Sequence, residues 1–235
     1  MSDFNSSENA VLAAKNVSKQ VSSPEGTLTI LSEVSFSIDK GDSVAIVGAS
    51  GAGKSTLLAL LAGLDLPTSG EIWLDGNNLT RLDEDGRAAV RAASVGFVFQ
   101  SFHLVPSLNA IENVMLPLEL SGKAMPRQTE RGIMEKVGLG ERWSHYPSQL
   151  SGGEKQRVAI ARAFATEPAV LFADEPTGNL DSRTGSTIVD LMFELNRNSS
   201  TTLVLVTHDN SLAGRCDRIL GLDAGRLVTD EKAAA

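Results

Sequence analysis

A glycine-rich segment at residues 48–55 carries the residue types that bind phosphate. Glycines in such a loop let backbone N–H groups face phosphate oxygens, a lysine reaches the β- and γ-phosphates, and the last hydroxyl binds Mg²⁺. An apolar run, Val44–Val47, precedes the loop, and a helix that follows it would point its positive end at the anion. We therefore predict that nucleotide phosphates contact Gly48, Ala49, Ser50, Gly51, Ala52, Gly53, Lys54 and Ser55.

Two adjacent carboxylates, Asp174 and Glu175, follow a second apolar run, Val170–Ala173. Mg²⁺ is a hard cation that keeps several waters, so one carboxylate, the hydroxyl of Ser55 and the phosphates suffice to hold it. We assign Asp174 to this metal. The next side chain, Glu175, would point toward the γ-phosphate, where it can orient or deprotonate the attacking water.

Two further polar side chains follow apolar runs that read as strands. His208 comes after Leu203–Val206, and we predict that it contacts the γ-phosphate and senses its loss. Gln100 comes after Val95–Phe99, where a neutral amide can reach Mg²⁺ or the attacking water. A lone histidine is usually structural, and we keep that interpretation for His103 and His145.

A second potential anion site lies in the segment Leu150–Glu154, which reads Leu-Ser-Gly-Gly-Glu. We expect Ser151, Gly152 and Gly153 to open a helix, because the free N–H groups at a helix N-terminus attract anions. The presence of two separate phosphate sites in one chain is explained if the second site binds a nucleotide that a partner chain holds. Together the two motifs predict ATP sandwiched between two copies of this kind of domain.

The apolar runs share a pattern that indicates the fold. None alternates polar with apolar residues, which is typical of parallel strands buried on both faces. The polar residues follow the carboxyl ends of these strands, where open α/β sheets bind ligands. Short alternating stretches within residues 11–43 and 70–80 instead indicate an antiparallel sheet. We predict an α/β fold with helices over residues 54–61, 154–166 and 186–196.

Composition narrows the class of protein. The 235-residue chain has 21 basic and 29 acidic residues, a formal charge of −8, which argues against a dedicated nucleic-acid binder. Its single cysteine, Cys216, excludes an internal disulfide framework and is expected to be a buried packing residue. Residues 1–10 do not read as a signal peptide, and no stretch approaches the roughly 20 apolar residues of a membrane span. If the protein serves transport, we expect the pore to lie on another chain.

The motifs and their order resemble those of the ABC ATPases over nearly the whole chain. Six motifs occur in the order typical of that family, which a chance match would not reproduce. They are Walker A at Gly48–Thr56, the glutamine loop at Gln100, the signature at Leu150–Gln156, Walker B at Val170–Glu175, the D-loop at Asn179–Asp181 and the switch histidine at His208.

This resemblance implies a P-loop NTPase (RecA-like) core with an antiparallel β subdomain and an α-helical subdomain that carries the signature. The implied cofactors are ATP and Mg²⁺. The resemblance adds Thr56 to the nucleotide-binding residues, places Ser151, Gly152 and Gly153 against the γ-phosphate across a dimer, and implies that Asp181 couples the two sites. The implied parts are a flexible N-terminus at 1–10, a core at 11–100 and 159–230, a helical subdomain at 101–158 and a flexible tail at 231–235.

Finer motifs at residues 99–106, 112–118 and 173–181 resemble the lipoprotein-release and macrolide-export branch, and within it the bacterial YbbA-type subunits. ATPases of this branch serve permeases that transmit force to the periplasm or envelope. The family usually has an aromatic residue ahead of Walker A that stacks on adenine, whereas the alignment that we draw places Val21 there. A smaller apolar contact at Val21 would weaken base selectivity and nucleotide affinity.

The resemblance also implies the partners and the location. We expect a second copy of the ATPase to join in ATP, a membrane permease to dock on residues 101–118, and no nucleic acid to bind. The subunit is expected in the cytoplasm, on the inner face of the inner membrane.

Two alternative functions remain open at this point. One alternative is a soluble ABC ATPase not coupled to transport, for example of the iron–sulfur assembly type. Another is a non-hydrolysing nucleotide-gated adaptor, against which Glu175 and His208 argue.

Overall fold

Ten strands and seven α-helices make up the part of the chain that the computed structural model describes, residues 9–24, 26–122 and 127–232. The strands are β1 (Ala10–Ser23), β2 (Gly26–Asp39), β3 (Ser43–Val47), β4 (Ser69–Leu74), β5 (Asn77–Asn78), β6 (Val95–Phe99), β7 (Val170–Asp174), β8 (Thr202–Val206), β9 (Arg218–Asp223) and β10 (Arg226–Lys232). The helices are α1 (Lys54–Leu61), α2 (Glu84–Ser94), α3 (Ala110–Leu120), α4 (Arg127–Lys136), α5 (Gly152–Phe164), α6 (Ser182–Ser199) and α7 (Asn210–Ala213), with 3₁₀ turns at Leu79–Arg81 and Pro147–Gln149.

Two sheets organise these strands. The smaller sheet is antiparallel, with the order β2-β1-β4-β5, and the larger sheet has the order β10-β9-β3-β8-β7-β6. In the larger sheet β3, β6, β7, β8 and β9 run parallel, and β10 alone pairs antiparallel with β9. The predicted parallel core, the antiparallel sheet beside it and the α/β fold are therefore confirmed.

The parallel strands bury both of their faces. On β7, Leu171 and Ala173 belong to a core shared with helices α3, α5 and α6. Val170 and Phe172 belong to the opposite core, which α1 and the smaller sheet complete. Because each face meets an apolar layer, every residue of the run is apolar, and the strand ends at the first position where a charge, Asp174, can meet solvent.

Helix boundaries follow their capping residues. The predicted helix over residues 54–61 is confirmed as α1. Helix α5 begins two residues earlier than predicted, because the hydroxyl of Ser151 accepts the N–H of Glu154 and caps it. Helix α6 begins at Ser182 rather than Ser186, because the carboxylate of Asp181 accepts the N–H of Thr184 at 3.0 Å.

The inner residues of the two termini that we expect to be flexible pair in strands where the structure describes them. Ala10 pairs with Asp39 in the smaller sheet, and β10 continues through Glu231 and Lys232, which pair with β9. These strand ends have backbone partners, so they are not free tails. Residues 1–8 and 233–235 of the two expected tails lie outside the described residues.

The single cysteine packs inside the protein as expected. Cys216 is 2% exposed and belongs to the core of α5 and α6. Burial, with a smaller contribution from Asp217, raises the pKa of its thiol to about 12. A thiol in this environment is a packing group and a poor nucleophile.

Candidate nucleotide site

The predicted phosphate loop joins β3 to α1. Gly53, the N-cap of α1, has a φ of 99°, and a Cβ there would lie 2.8 Å from Leu31 Cδ2, so only glycine fits. The first turn of α1 contains no acidic side chain that would oppose an anion at its N-terminus. The ammonium of Lys54 donates to the carbonyl oxygens of Gly48 at 2.8 Å and Ala49 at 2.9 Å, which holds it against the loop.

A cavity of about 270 Å³ opens at this loop and extends to the ends of β7 and β8. Six of the nine predicted loop residues line it, while Gly48 and Ala49 hold Lys54 through their carbonyls and Ala52 is buried. The loop and the strand ends therefore form one pocket. Its lining residues are Ile30, Ser50, Gly51, Gly53, Lys54, Ser55, Thr56, Asp174, Glu175 and Val206.

The two predicted carboxylates stand at the end of β7 in this cavity. Burial and, second, the negative charge of Glu175 raise the pKa of Asp174, while Lys54 opposes the shift. The ionised form of Asp174 is therefore incompletely compensated by protein groups. A cation beside Asp174 would restore its usual acidity.

Glu175 contacts the end of the neighbouring strand. Its φ of 46° lies in the left-handed region that few non-glycine residues adopt, and its N–H donates to the carbonyl of Val206 at 3.0 Å. Its Oε1 accepts the backbone N–H of His208 at 3.1 Å and the Nδ1–H at 2.7 Å. This hydrogen bond, and then the charge of Glu175, raise the pKa of His208, whose side chain is 77% exposed.

The three predicted metal ligands meet around a second cavity of about 320 Å³. Ser55, Gln100 and Asp174 line it together with Glu175 and His103. A hydroxyl, an amide and one carboxylate supply the oxygen ligands that Mg²⁺ prefers, and the raised pKa of Asp174 marks a negative charge that a cation would compensate. No cluster of three or more His, Cys, Asp or Glu side chains among the described residues could hold a metal. The donor set fits Mg²⁺ that keeps water and phosphate ligands.

Gln100 is fixed against the turn that follows Glu175. Its Nε2 donates to Asn179 Oδ1 at 3.2 Å, and Asn179 Nδ2 donates to the Gln100 carbonyl at 3.0 Å. A Cβ on Gly178 would lie 2.6 Å from Gln100 Nε2. These hydrogen bonds tie the end of β6 to the turn that follows β7.

Ser151 forms a capping box at the start of α5. Its hydroxyl donates to Glu154 Oε2 at 2.8 Å and accepts the N–H of Glu154 at 3.3 Å, while Glu154 Oε2 also accepts the N–H of Ser151 at 2.8 Å. These hydrogen bonds lower the pKa of Glu154, and an ion pair with Arg142 at 3.1 Å assists. Ser151 is therefore an exposed residue that hydrogen bonds hold at the N-terminus of α5.

Comparison with known proteins decides the family. Residues 31–178, more than half of the chain, match the family described as ABC transporter. The chain belongs to this family. Within it, the chain is 54% identical over 219 residues to the ABC transporter ATP-binding protein YbbA of Escherichia coli K12, covering 92% of this chain and 96% of YbbA. It is 49% identical over 224 residues to the lipoprotein-releasing system ATP-binding protein LolD of Pseudomonas syringae pv. tomato, covering 94% and 99%.

Solved structures agree with the assignment. The dimeric, post-hydrolysis structure of the ATP-binding cassette MJ0796 with ADP and Pi has a TM-score of 0.86 and 41% identity, covering 95% of this chain and 99% of that one. A second dimeric MJ0796 structure has a TM-score of 0.86 and 42% identity. The chain is an ATP-binding subunit of an ABC transporter and an ATP hydrolase with the cassette fold, as the motif order predicted. No helix among its described residues is long and apolar enough to cross a membrane.

The cassette brings most of the predicted site residues together and leaves a few apart. Lys54, Ser55, Gln100, Asp174 and Glu175 surround the two cavities at the phosphate loop, and His208 joins them through Glu175. Asp181 lines a third cavity, of about 410 Å³, together with Glu175 and His208. Ser151, Gly152, Gly153 and Val21 line none of these three cavities.

Two residues near the site have no role in the prediction from sequence. Ile30 of β2 lines the phosphate-loop cavity, but an apolar residue in an alternating strand carries no chemical signal. Gln156 of α5 is fully buried and bonds to the carbonyl of Pro176, next to Glu175. The available signal was a polar glutamine within the predicted signature helix. The face of a helix that packs on a core is usually apolar, so a glutamine on that face indicates a specific hydrogen bond.

Proposed function

We propose that this subunit binds MgATP on its own phosphate loop, that the signature of a second copy completes the site, and that hydrolysis drives a separate membrane permease. The position of Glu175 carries this proposal. Its carboxylate lines both the phosphate-loop cavity and the Gln100 cavity and contacts His208 at 2.7 Å. One carboxylate at this junction can serve a water that attacks a phosphate held by the loop.

The phosphate loop binds the triphosphate. The residues from Gly48 to Thr56 present backbone N–H groups at the start of α1, and Lys54 exchanges its contacts with the Gly48 and Ala49 carbonyls for the β- and γ-phosphates. Ser55, Asp174 and Gln100 hold the metal, and bound Mg²⁺ would neutralise part of the phosphate charge. Ile30 and Val21 offer apolar contacts to the nucleoside end.

Glu175 and His208 act on the attacking water and the γ-phosphate. Glu175 accepts a proton as the water oxygen bonds to the γ-phosphorus and the bond to the β–γ bridging oxygen breaks, giving ADP and phosphate. His208, held by Glu175, faces the γ-phosphate and stabilises the charge that develops there. The hydrogen bond between Glu175 and His208 keeps both side chains at the same γ-phosphate.

The second copy contributes the signature. Ser151 is exposed, and Gly152 and Gly153 follow it at the helix N-terminus. All three line neither cavity of their own phosphate loop, which supports their serving the nucleotide of a partner. Both MJ0796 structures are dimeric, and one of them is a post-hydrolysis state with ADP and Pi. Asp181, beside Glu175 and His208 in the third cavity, couples the two sites.

The transport partner is a membrane permease. The relatives are named as an ABC transporter ATP-binding protein and as part of a lipoprotein-releasing system, which favours an export or envelope-directed branch over a soluble iron–sulfur assembly type. Residues 101–118 form the docking surface, and the subunit lies on the cytoplasmic face of the inner membrane. Membrane fractionation tests the permease as partner. The subunit should be recovered with washed membranes that contain the permease and should be lost from membranes without it.

ATP turnover tests the assignment of Glu175. Wild type should release phosphate from ATP in Mg²⁺, and Glu175→Gln should lose on the order of 100-fold or more in kcat while it still binds ATP. Glu167→Gln, which changes a remote glutamate after α5 in the same way, is the matched control and should keep wild-type turnover. Equal turnover in wild type and Glu175→Gln would overturn the assignment.

A further inference from the structure

Gln156 lies on the signature helix α5 and is fully buried. Its Nε2 donates to the carbonyl oxygen of Pro176 at 2.7 Å, a residue that is itself buried. Its Oε1 is buried and accepts no hydrogen bond from the described residues. A buried amide with one unpartnered oxygen lowers stability, so stability alone does not explain why a glutamine occupies this position.

The carbonyl that Gln156 holds belongs to the catalytic turn. Pro176 directly follows Glu175, whose φ of 46° is unusual for a residue with a side chain. Such a conformation persists only where the surroundings hold it. The Glu175 carbonyl accepts the N–H of Gly178 at 3.0 Å within the turn, and Gln156 holds the next carbonyl from outside the turn.

Helix α5 contacts the same segment at two further points. A Cβ on Gly152 would lie 3.3 Å from Leu180 Cδ2, and a Cβ on Gly153 would lie 2.5 Å from Thr184 Cγ2. These distances leave little room for a Cβ at Gly152 and none at Gly153, so the start of α5 packs closely against the segment after Glu175. The hydrogen bond of Gln156 adds a directional link to this packing, and it lies closest to Glu175 along the chain.

We propose that Gln156 is a positioning residue for ATP hydrolysis, which orients Glu175 by holding the Pro176 carbonyl from the signature helix. The proposal rests on the proposed role of Glu175. Gln156 does not touch the nucleotide; it acts through the backbone of the turn. Ser151 begins the same helix. A nucleotide that is held by the partner and contacts Ser151 would therefore act, through α5 and Gln156, on the position of Glu175 in the same chain as that Ser151.

Gln156→Met tests the proposal, because methionine keeps the length and apolar volume of the side chain and removes only the amide. The kcat of the purified full chain should fall on the order of 10-fold, with KM for MgATP within about twofold of wild type. The melting temperature should stay near the wild-type value, since losing the unpartnered Oε1 offsets losing the hydrogen bond. Gln156→Asn keeps an amide that is too short to reach Pro176 and should reproduce the loss of kcat.

Arg157→Met is the matched control on the same helix. Arg157 also donates to a backbone carbonyl, that of Val137 at 2.9 Å, but on the side of α4 rather than of the catalytic turn. This variant should lower the melting temperature and keep the wild-type kcat. If Gln156→Met and Gln156→Asn keep the wild-type kcat, whether or not their melting temperatures fall as that of Arg157→Met should, Gln156 is structural and the proposal is wrong.

Glu175→Gln separates the failure of this proposal from that of the proposed function. If Glu175→Gln abolishes turnover and Gln156→Met does not reduce it, the positioning role alone is wrong. If Glu175→Gln turns over like wild type, the role of Glu175 fails and the positioning role fails with it. If Gln156 acts through Glu175, single-turnover rates should show that Gln156→Met has little further effect in the Glu175→Gln background.

Discussion

Glu175 Oε1 and His208 Nδ1 lie 2.7 Å apart, although His208 comes 33 positions after Glu175 in the sequence. The contact exists because β7 and β8 are parallel neighbours, so that both residues leave the same edge of the sheet. The carboxylate also accepts the backbone N–H of His208, which fixes the two residues to each other at two points. Glu175 and His208 are therefore one hydrogen-bonded unit.

Removing the carboxylate should lower the pKa of His208. Glu175 supplies the first two causes of the upward shift, by hydrogen bond and by charge. In Glu175→Gln the imidazole should therefore titrate closer to its ordinary value of 6.5, as measured by the pH dependence of its NMR resonances. Asp190→Asn, which removes a carboxylate paired with Arg215, is the control. An unchanged His208 pKa in Glu175→Gln would show that the hydrogen bond does not persist in solution.

The same contact should make stability depend on pH in one direction. Because the folded pKa of His208 is raised, its contribution is fully present below the unfolded value of about 6.5 and is lost as pH rises through the folded pKa. Because His208 loses its charge as pH rises, the difference in melting temperature between wild type and Glu175→Gln should shrink from about pH 6 to about pH 9. A difference that grows over the same range would contradict the sign.

Lys54→Ala should weaken ATP binding without unfolding the chain. Among the described residues the lysine donates hydrogen bonds to two loop carbonyls, so its loss should leave the melting temperature without nucleotide nearly unchanged. A charge-assisted bond to phosphate is worth about 1.5–3 kcal/mol, which corresponds to roughly 10- to 150-fold in Kd. Titration with a fluorescent ATP analogue measures this, and Lys40→Ala in the exposed turn before β3 should bind like wild type.

Gly153→Ala should destabilise the cassette through packing. The new Cβ would meet Thr184 Cγ2 at 2.5 Å, and overpacking of this kind costs about 1–3 kcal/mol. Thr184→Ser removes that methyl group and should restore the free energy of unfolding, as measured in urea. If the double variant is stable and still slow in hydrolysis, Gly153 also has a direct role at the nucleotide. If Thr184→Ser restores no stability, the cost of Gly153→Ala does not come from this contact.

The sequence predicts those parts of the site whose chemistry is local. The phosphate loop, Asp174, Glu175 and His208 each follow an apolar run, and the parallel sheet brings these ends together as expected. The contact of Gln156 with Pro176 joins residues 20 positions apart on different elements, and no periodic pattern contains that information. The strand at Glu231 was missed for a related reason, since an exposed, charged edge strand resembles a tail until its pairing partner in β9 is known.

Val21→Tyr should tighten ATP binding if Val21 occupies the base-stacking position. Val21 is 37% exposed near the end of the β1–β2 hairpin, opposite Leu28, so a larger ring has room. An aromatic contact with a base is worth about 1–3 kcal/mol, so Kd should fall at least several-fold by calorimetry. Val228→Tyr, at an exposed valine of β10, is the control. An unchanged Kd in Val21→Tyr would show that the base lies elsewhere.

Light scattering of Glu175→Gln with MgATP tests the central claim most directly. The account predicts a molecular mass of two chains in MgATP and of one chain in MgADP, because ATP that is not hydrolysed keeps the two copies joined through phosphate loop and signature. Adding Ser151→Arg, which places a bulky side chain at the exposed start of α5, should return the protein to one chain in MgATP. A single-chain mass for Glu175→Gln in saturating MgATP, with ATP shown to be bound, would contradict the shared site.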